Sequence, residues 1–422
     1  MRFVYRLAAV LFVCAWSGCA AEKATLPSVS GTTPTNATVE RGSLAGFTTL
    51  YAFHAKQDGG GPQSDLIAVN GLLYGTTVGG GGRSPQCSCG TVYSIDASGK
   101  EKVIYRFKGG SDGAGPESGL TYVGGTFYGT TAFGGAGYYC SGQGSRAGCG
   151  TVFAVDAAGH ERVVYTFNGG TDGNGPLGDL VLFNGMLYGI TVYGGHKCLS
   201  FGCGTVFAIS PAGGGGAIYR FSNGKDGAYP MAGLTALHGV LYGTTTGGGY
   251  CDEKKCGTVY TITPSGKLTI VHDFKGGDGS YPWSNLVDVN GTLYGSTYYG
   301  GNGCRSGCGT IYTIDAAGTE RPVWLFGGNQ DGTYPLGTLS YWHGKLYGTT
   351  QEGANTKCFN DQGCGTVFSF NPSSQRENAV HVFHNSDGAW PLTGVTLYKN
   401  ALYGTTNQGG ARDAGTVFRV TP

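Results

Sequence analysis

Charge is scarce in this sequence, and neither sign prevails. Only 13% of the 422 residues are charged, with 27 Lys and Arg against 26 Asp and Glu. That balance leaves no basic stripe for a phosphate backbone, so nucleic acid is not an expected partner. Helical periodicity is missing beyond the first residues, which argues against any α or α/β class. Long apolar runs are missing too: the clearest, Leu7 to Trp16, is too short to span a bilayer.

What the chain has in excess is glycine, with 82 residues, a content near low complexity. Disorder is nevertheless excluded, because aromatic, Val and Thr residues return with a strict period between the glycines. One stretch is written seven times: an apolar residue, Tyr-Gly-Thr-Thr or a close variant, a Gly-rich loop, then Gly-Thr-Val-Phe/Tyr. Its clearest copy is Leu241-Tyr242-Gly243-Thr244-Thr245 followed by Gly257-Thr258-Val259-Tyr260, and the others centre on Tyr74, Tyr128, Tyr188, Tyr294, Tyr347 and Tyr403. The period of roughly 54 residues falls in the range of blade-type repeats.

One repeat, Gly59 to Phe107, divides into four strand-like runs. Leu66 to Val69 meets Leu72 to Thr77 at Asn70-Gly71, a two-residue hairpin signal. Thr91 to Asp96 meets Val103 to Phe107 across Ala97-Ser98-Gly99, and the last run alternates in the period of a strand. Four short strands repeated seven times predict an all-β fold, a seven-bladed β-propeller with four-stranded blades. The last copy stops at Pro422 one strand short. A spare strand stands at the other end, where Leu50-Tyr51-Ala52-Phe53 matches Ile104-Tyr105-Arg106-Phe107. The N-terminal strand is therefore expected to complete the final blade and leave no open edge.

Residues 1–20 read as an export signal: Arg2 and Arg6, then the apolar run, ending Trp16-Ser17-Gly18-Cys19. That ending resembles a bacterial lipobox, which implies lipidation of Cys19; cleavage after Ala20 or Ala21 as a soluble secreted protein is the alternative. Residues 21–46 are rich in Ser, Thr and Pro and read as a flexible tether, leaving 47–422 for the propeller. Twelve further cysteines fall as six local pairs: Cys87/Cys89, Cys140/Cys149, Cys198/Cys203, Cys251/Cys256, Cys304/Cys308 and Cys358/Cys364. Even numbers at recurring places in an exported chain predict disulfides that staple loops. Two thiols per loop with no histidine at constant spacing do not make a four-ligand site, so no metal and no cofactor are expected.

The Tyr-Gly-Thr-Thr and Cys-Gly-Thr-Val-Phe/Tyr signatures, recurring from about Phe47 to Pro422, resemble the GloVer type of tandem repeat, a bacterial exported family of Gly- and Val-rich units. The resemblance implies a surface or extracellular location and brings no catalytic residues with it.

The loop that enters each blade and the loop that holds the cysteines should share one face. The entering loop carries Asp58, Asp112, Asp172, Asp226, Asp278, Asp331 and Asp387, each before a Gly, where a side chain that bonds its own backbone suits a turn. Before the Pro of the same loop, blades one to three have Gly61, Gly115 and Gly175, whereas blades four to seven have Tyr229, Tyr281, Tyr334 and Trp390. Trp283 follows Pro282, and the cysteine loops add Phe133, Tyr138, Tyr139, Tyr193, Tyr250, Tyr298 and Tyr299. Half of the rim is thus aromatic, suited either to packing between blades or to stacking on a sugar ring or a protein partner. The histidines stand in no recognisable relation to a nucleophile or a metal triad, and His272 and His381 occupy a strand position held elsewhere by Tyr, so they are expected to pack. The leading expectation is a non-catalytic, surface-anchored module, tied to a bacterial outer membrane or secreted, that binds a glycan or a surface protein through Tyr229, Tyr281, Trp283, Tyr334 and Trp390. The alternatives are a polysaccharide-active hydrolase or lyase using a blade-specific carboxylate such as Glu352 or Asp361, and a purely structural envelope protein.

Overall fold

The computed structural model describes residues 46–422 apart from 83–86, 136–139, 141–147, 197, 199–200, 250–255, 305–306, 329, 355–357 and 359–361. The export signal, Cys19, the tether up to residue 45, Tyr138, Tyr139, Tyr250, Cys251 and Asp361 lie outside the described residues. Seven antiparallel sheets form a seven-bladed β-propeller. Strands are lettered A, innermost, to D, outermost. Blade 4 shows the pattern: Thr235–Leu237 (A), Val240–Thr245 (B), Thr258–Ile262 (C) and Leu268–Asp273 (D). In blades 1, 3, 5 and 6, at least two residues of the entering loop also pair with strand B. Helix among the described residues is limited to single 3-10 turns at Gly110–Asp112 and Gly170–Asp172, and none is long and apolar enough to cross a membrane.

Blade 7 is built from Thr396–Tyr398, Ala401–Thr406 and Thr416–Thr421, and its outer strand is the N-terminal Gly46–Ala52. Phe47 pairs with Val420 and Tyr51 with Val417, so the two ends of the chain hold each other in one sheet. Ring closure is visible at the inner edge as well, where the Thr396 hydroxyl of blade 7 donates to the Leu66 carbonyl of blade 1 at 2.6 Å. At the centre, Asp65 of blade 1 accepts the Gly394 N–H of blade 7 at 2.7 Å and also meets the Thr338 side chain of blade 6. Asp179 of blade 3 accepts the Gly119 N–H of blade 2 at 2.6 Å. Burial first, and then the Asp179 charge, push the Asp65 carboxyl well above the usual carboxylate range.

The repeated motif explains the packing. In Tyr-Gly-Thr-Thr, the Gly leaves room on strand B for the aromatic ring of Gly-Thr-Val-Phe/Tyr on strand C: a Cβ on Gly129 would come 2.6 Å from the Phe153 ring. The second Thr bonds the Thr of Gly-Thr-Val in every blade, as Thr77 with Thr91 at 2.8 Å and Thr406 with Thr416 at 2.8 Å, so these buried hydroxyls satisfy each other. The Phe that follows strand D then packs edge-on against the strand C ring of the next blade. This recurs at all seven interfaces, from Phe53 on Tyr93 at 5.1 Å to Phe383 on Phe418 at 5.1 Å. These edge-to-face pairs are the inter-blade core.

Candidate functional site

The entering loop and the cysteine loop do meet on one face. The N–H of the residue before each Pro donates to the carbonyl that closes the preceding blade's cysteine loop: Tyr229 to Cys203 at 2.8 Å, Tyr281 to Cys256 at 2.8 Å, Tyr334 to Cys308 at 2.9 Å and Trp390 to Cys364 at 3.0 Å. Disulfides close those loops in Cys87–Cys89, Cys140–Cys149, Cys198–Cys203, Cys304–Cys308 and Cys358–Cys364, with Cα atoms 5.1 to 5.7 Å apart. Cys256 is disulfide-bonded as well. Blade 7 has Ala414 at the second cysteine position, and there Asp413 closes the loop by accepting the Gly409 N–H at 3.0 Å. Several disulfides in one domain suggest a protein that folds outside the cytoplasm.

The residue before the Pro has a left-handed backbone in all seven blades: φ is 62° to 65° at Gly61, Gly115 and Gly175, and 54° to 61° at Tyr229, Tyr281, Tyr334 and Trp390. Glycine adopts this conformation freely, whereas a bulky side chain there is strained. Four blades therefore carry an aromatic ring where the local backbone calls for glycine.

Three of the five predicted rim residues are linked into one aromatic cluster at blades 5 and 6, and two further rings do the linking. Tyr281 meets Tyr299 edge-on at 5.4 Å, Tyr299 meets Tyr334 at 5.4 Å, Tyr298 stacks on Tyr334 at 4.8 Å, and Trp283 lies 5.9 Å from Tyr298. The Tyr298 hydroxyl, buried, donates to Gln351 Oε1 at 3.0 Å. Tyr229 lies instead 6.3 Å from Tyr193 of blade 3, and Trp390 holds the matching place in blade 7. All five predicted rings are half-buried, so each packs on its surroundings and keeps an open portion. Glu352, half-buried beside this cluster, is pushed up to about 7 by desolvation, and its charge acts on both Tyr298 and Tyr334. Gln351 escaped the sequence reading; its signal was the place directly after Tyr-Gly-Thr-Thr, where other blades carry Val78, Ala132 or Val192.

The rim aspartates have structural partners. Asp58 accepts the Tyr51 hydroxyl at 2.5 Å and the His54 N–H at 3.0 Å; Asp112 accepts the Tyr105 hydroxyl and the Lys108 N–H, both at 2.6 Å. Each thus ties its own loop to the strand before it. His272 packs edge-on against Phe274 at 4.9 Å, and His381 stacks on Phe47 at 3.5 Å.

Residues 134–306 and 252–422 match the Gloeobacter/Verrucomicrobia repeat, the second copy continuing to the last residue of the chain. The chain belongs to the Gloeobacter/Verrucomicrobia repeat family. No curated protein matches the sequence. Among solved structures, the repeat protein is similar to the tricorn protease at 12% identity and a TM-score of 0.38, over 80% of this chain and 27% of that one. It is also similar to a luciferin-regenerating enzyme at 13% identity and a TM-score of 0.42, over 72% of this chain and 90% of that one.

Proposed function

We propose that this repeat protein is an exported, surface-anchored propeller that binds a glycan, without catalysis, through the aromatic part of its loop face. The observation that carries the reading is the left-handed backbone at Tyr229, Tyr281, Tyr334 and Trp390, in positions that three sister blades fill with glycine. A bulky residue in that conformation costs about 1–3 kcal/mol. Aromatic rings kept there despite that backbone strain point to a role in recognition, and half-buried Tyr and Trp rings with one polar tip suit stacking on sugar rings. A glycan array with the purified protein tests it, alongside a pull-down that detects a surface protein as the alternative partner. Binding that is lost in Tyr281→Gly and Trp390→Gly supports the reading; binding unchanged in both overturns it.

Glu352 favours a second reading. A carboxyl that titrates near 7 beside Tyr298 and Tyr334 could serve as a general acid in a polysaccharide hydrolase or lyase. Turnover of a polymer by the wild-type protein, abolished in Glu352→Gln while binding persists, would select it. Anchoring through a lipid on Cys19, against free secretion, is decided by mass spectrometry of the mature N-terminus.

A further inference from the structure

At every junction between blades, three positions converge near the outer edge: the residue two places before the Phe that follows strand D, the Asp of the following loop, and the residue of the next blade's strand D that opposes the fifth residue of strand C. Strand register fixes the third position, since Glu101, Glu161, Gly215, Leu268, Glu320, Glu377 and Phe47 oppose equivalent residues of strand C. Two junctions combine Tyr, Asp and Glu: Tyr51 with Asp58 and Glu101, and Tyr105 with Asp112 and Glu161. At two junctions histidine replaces the tyrosine, and the two differ. His381 meets Asp387 at 3.1 Å, but its third position is Phe47, whose ring covers it. His272 meets both Asp278 at 3.0 Å and Glu320 at 3.7 Å.

We propose that His272, Asp278 and Glu320 form a divalent metal site of the zinc class between blades 4 and 5. One imidazole nitrogen and two carboxylate oxygens lie within 4.8 Å of one another, a donor set of the kind that zinc accepts, with water completing the shell. The second observation is Glu320 itself: its side chain is only 4% exposed, Oε2 faces His272, and Oε1 has no hydrogen-bond partner among the described residues; Glu101 and Glu161 leave Oε1 in the same state, but of the three only Glu320 is paired with an imidazole. A buried carboxylate oxygen without a donor is costly, and a cation would satisfy it. His272 and Asp278 keep 19% and 18% of their side-chain surface open, so an ion has a way in from solvent. Two carboxylates and a neutral imidazole also balance a divalent charge. The expectation of no metal rested on sequence spacing, which does not reveal that residue 320 folds against residue 272.

The oxidised full-length protein, stripped with chelator, is dialysed against Zn2+ and analysed for bound metal, with Co2+ as an optical probe. One equivalent is expected in the wild type. His272→Tyr recreates the arrangement of Tyr51, Asp58 and Glu101, so it keeps the fold, and it should bind at least about tenfold more weakly, as should Glu320→Gln. His381→Tyr should bind as the wild type does. No bound metal in the wild type, or equal binding in all three variants, overturns the proposal. Thermal melts verify that each variant is folded.

Discussion

Gly415, near the end of the chain, lies under Pro62, near the start of the folded domain: a Cβ on Gly415 would come 2.6 Å from the Pro62 Cδ. The same contact joins Gly257 to Pro282 and Gly309 to Pro335, so one Gly-Pro contact serves both the ordinary junctions and the one that closes the ring. Gly415 has a φ of 91° and Gly257 one of 93°, leaving a side chain neither room nor a relaxed backbone. Gly415→Ala and Gly257→Ala should each cost about 2–4 kcal/mol by combining backbone strain with overpacking. Gly344→Ala, with a positive φ but open space around it, should cost only about 1–2 kcal/mol. Denaturant melts of the three variants measure the difference.

Deleting residues 46–52 removes the outer strand of blade 7 and exposes the edge of Thr416–Thr421. A lower melting temperature and self-association are expected, because an unpaired edge recruits another strand. Light scattering coupled to size exclusion checks this, and an equally stable monomer would contradict the closure.

Three strand C rings carry a hydroxyl that finds no hydrogen-bond partner among the described residues: Tyr93, Tyr260 and Tyr312, all fully buried. Sister blades place Phe153, Phe207, Phe368 and Phe418 there. Tyr260→Phe and Tyr312→Phe should therefore leave stability unchanged or raise it by up to about 1–3 kcal/mol, since an unpaired buried hydroxyl is lost with no shape change.

Burial first, and then the neighbouring Asp58 charge, raise the Glu101 carboxyl to about 7 from its ordinary value of 4.5. Folding then favours the protonated form. The contribution is complete below about 4.5 and is lost as pH rises through about 7, because the folded state releases its proton last. Glu101→Gln should flatten the decline in stability between those two values and be more stable than the wild type at pH 8. Urea midpoints across that range read the slope.

Tyr281→Gly and Trp390→Gly remove a strained side chain from a position that tolerates glycine in three blades. The expected result is a melting temperature within a few degrees of the wild type, with relief of strain offsetting lost ring contacts, together with loss of glycan binding. A large fall in stability would mean that the rings serve the inter-blade packing alone.

The strand count, the blade number, the spare strand at the start of the chain and the cysteine pairs were all legible in the sequence, because each is a local pattern copied at a fixed period. Repetition also exposed the aromatic half of the rim, since Tyr229, Tyr281, Tyr334 and Trp390 differ from glycines at matching places. What only the tertiary structure decided lies across blade junctions. Tyr299 meets Tyr334, Tyr298 reaches Gln351, and His272 meets Glu320. A period read along the chain gives each residue's place within its own blade, whereas these contacts depend on how one twisted sheet is set against the next. The same holds for Asp65 and Asp179, which sequence alone leaves as ordinary loop residues and which ring closure brings together at the centre.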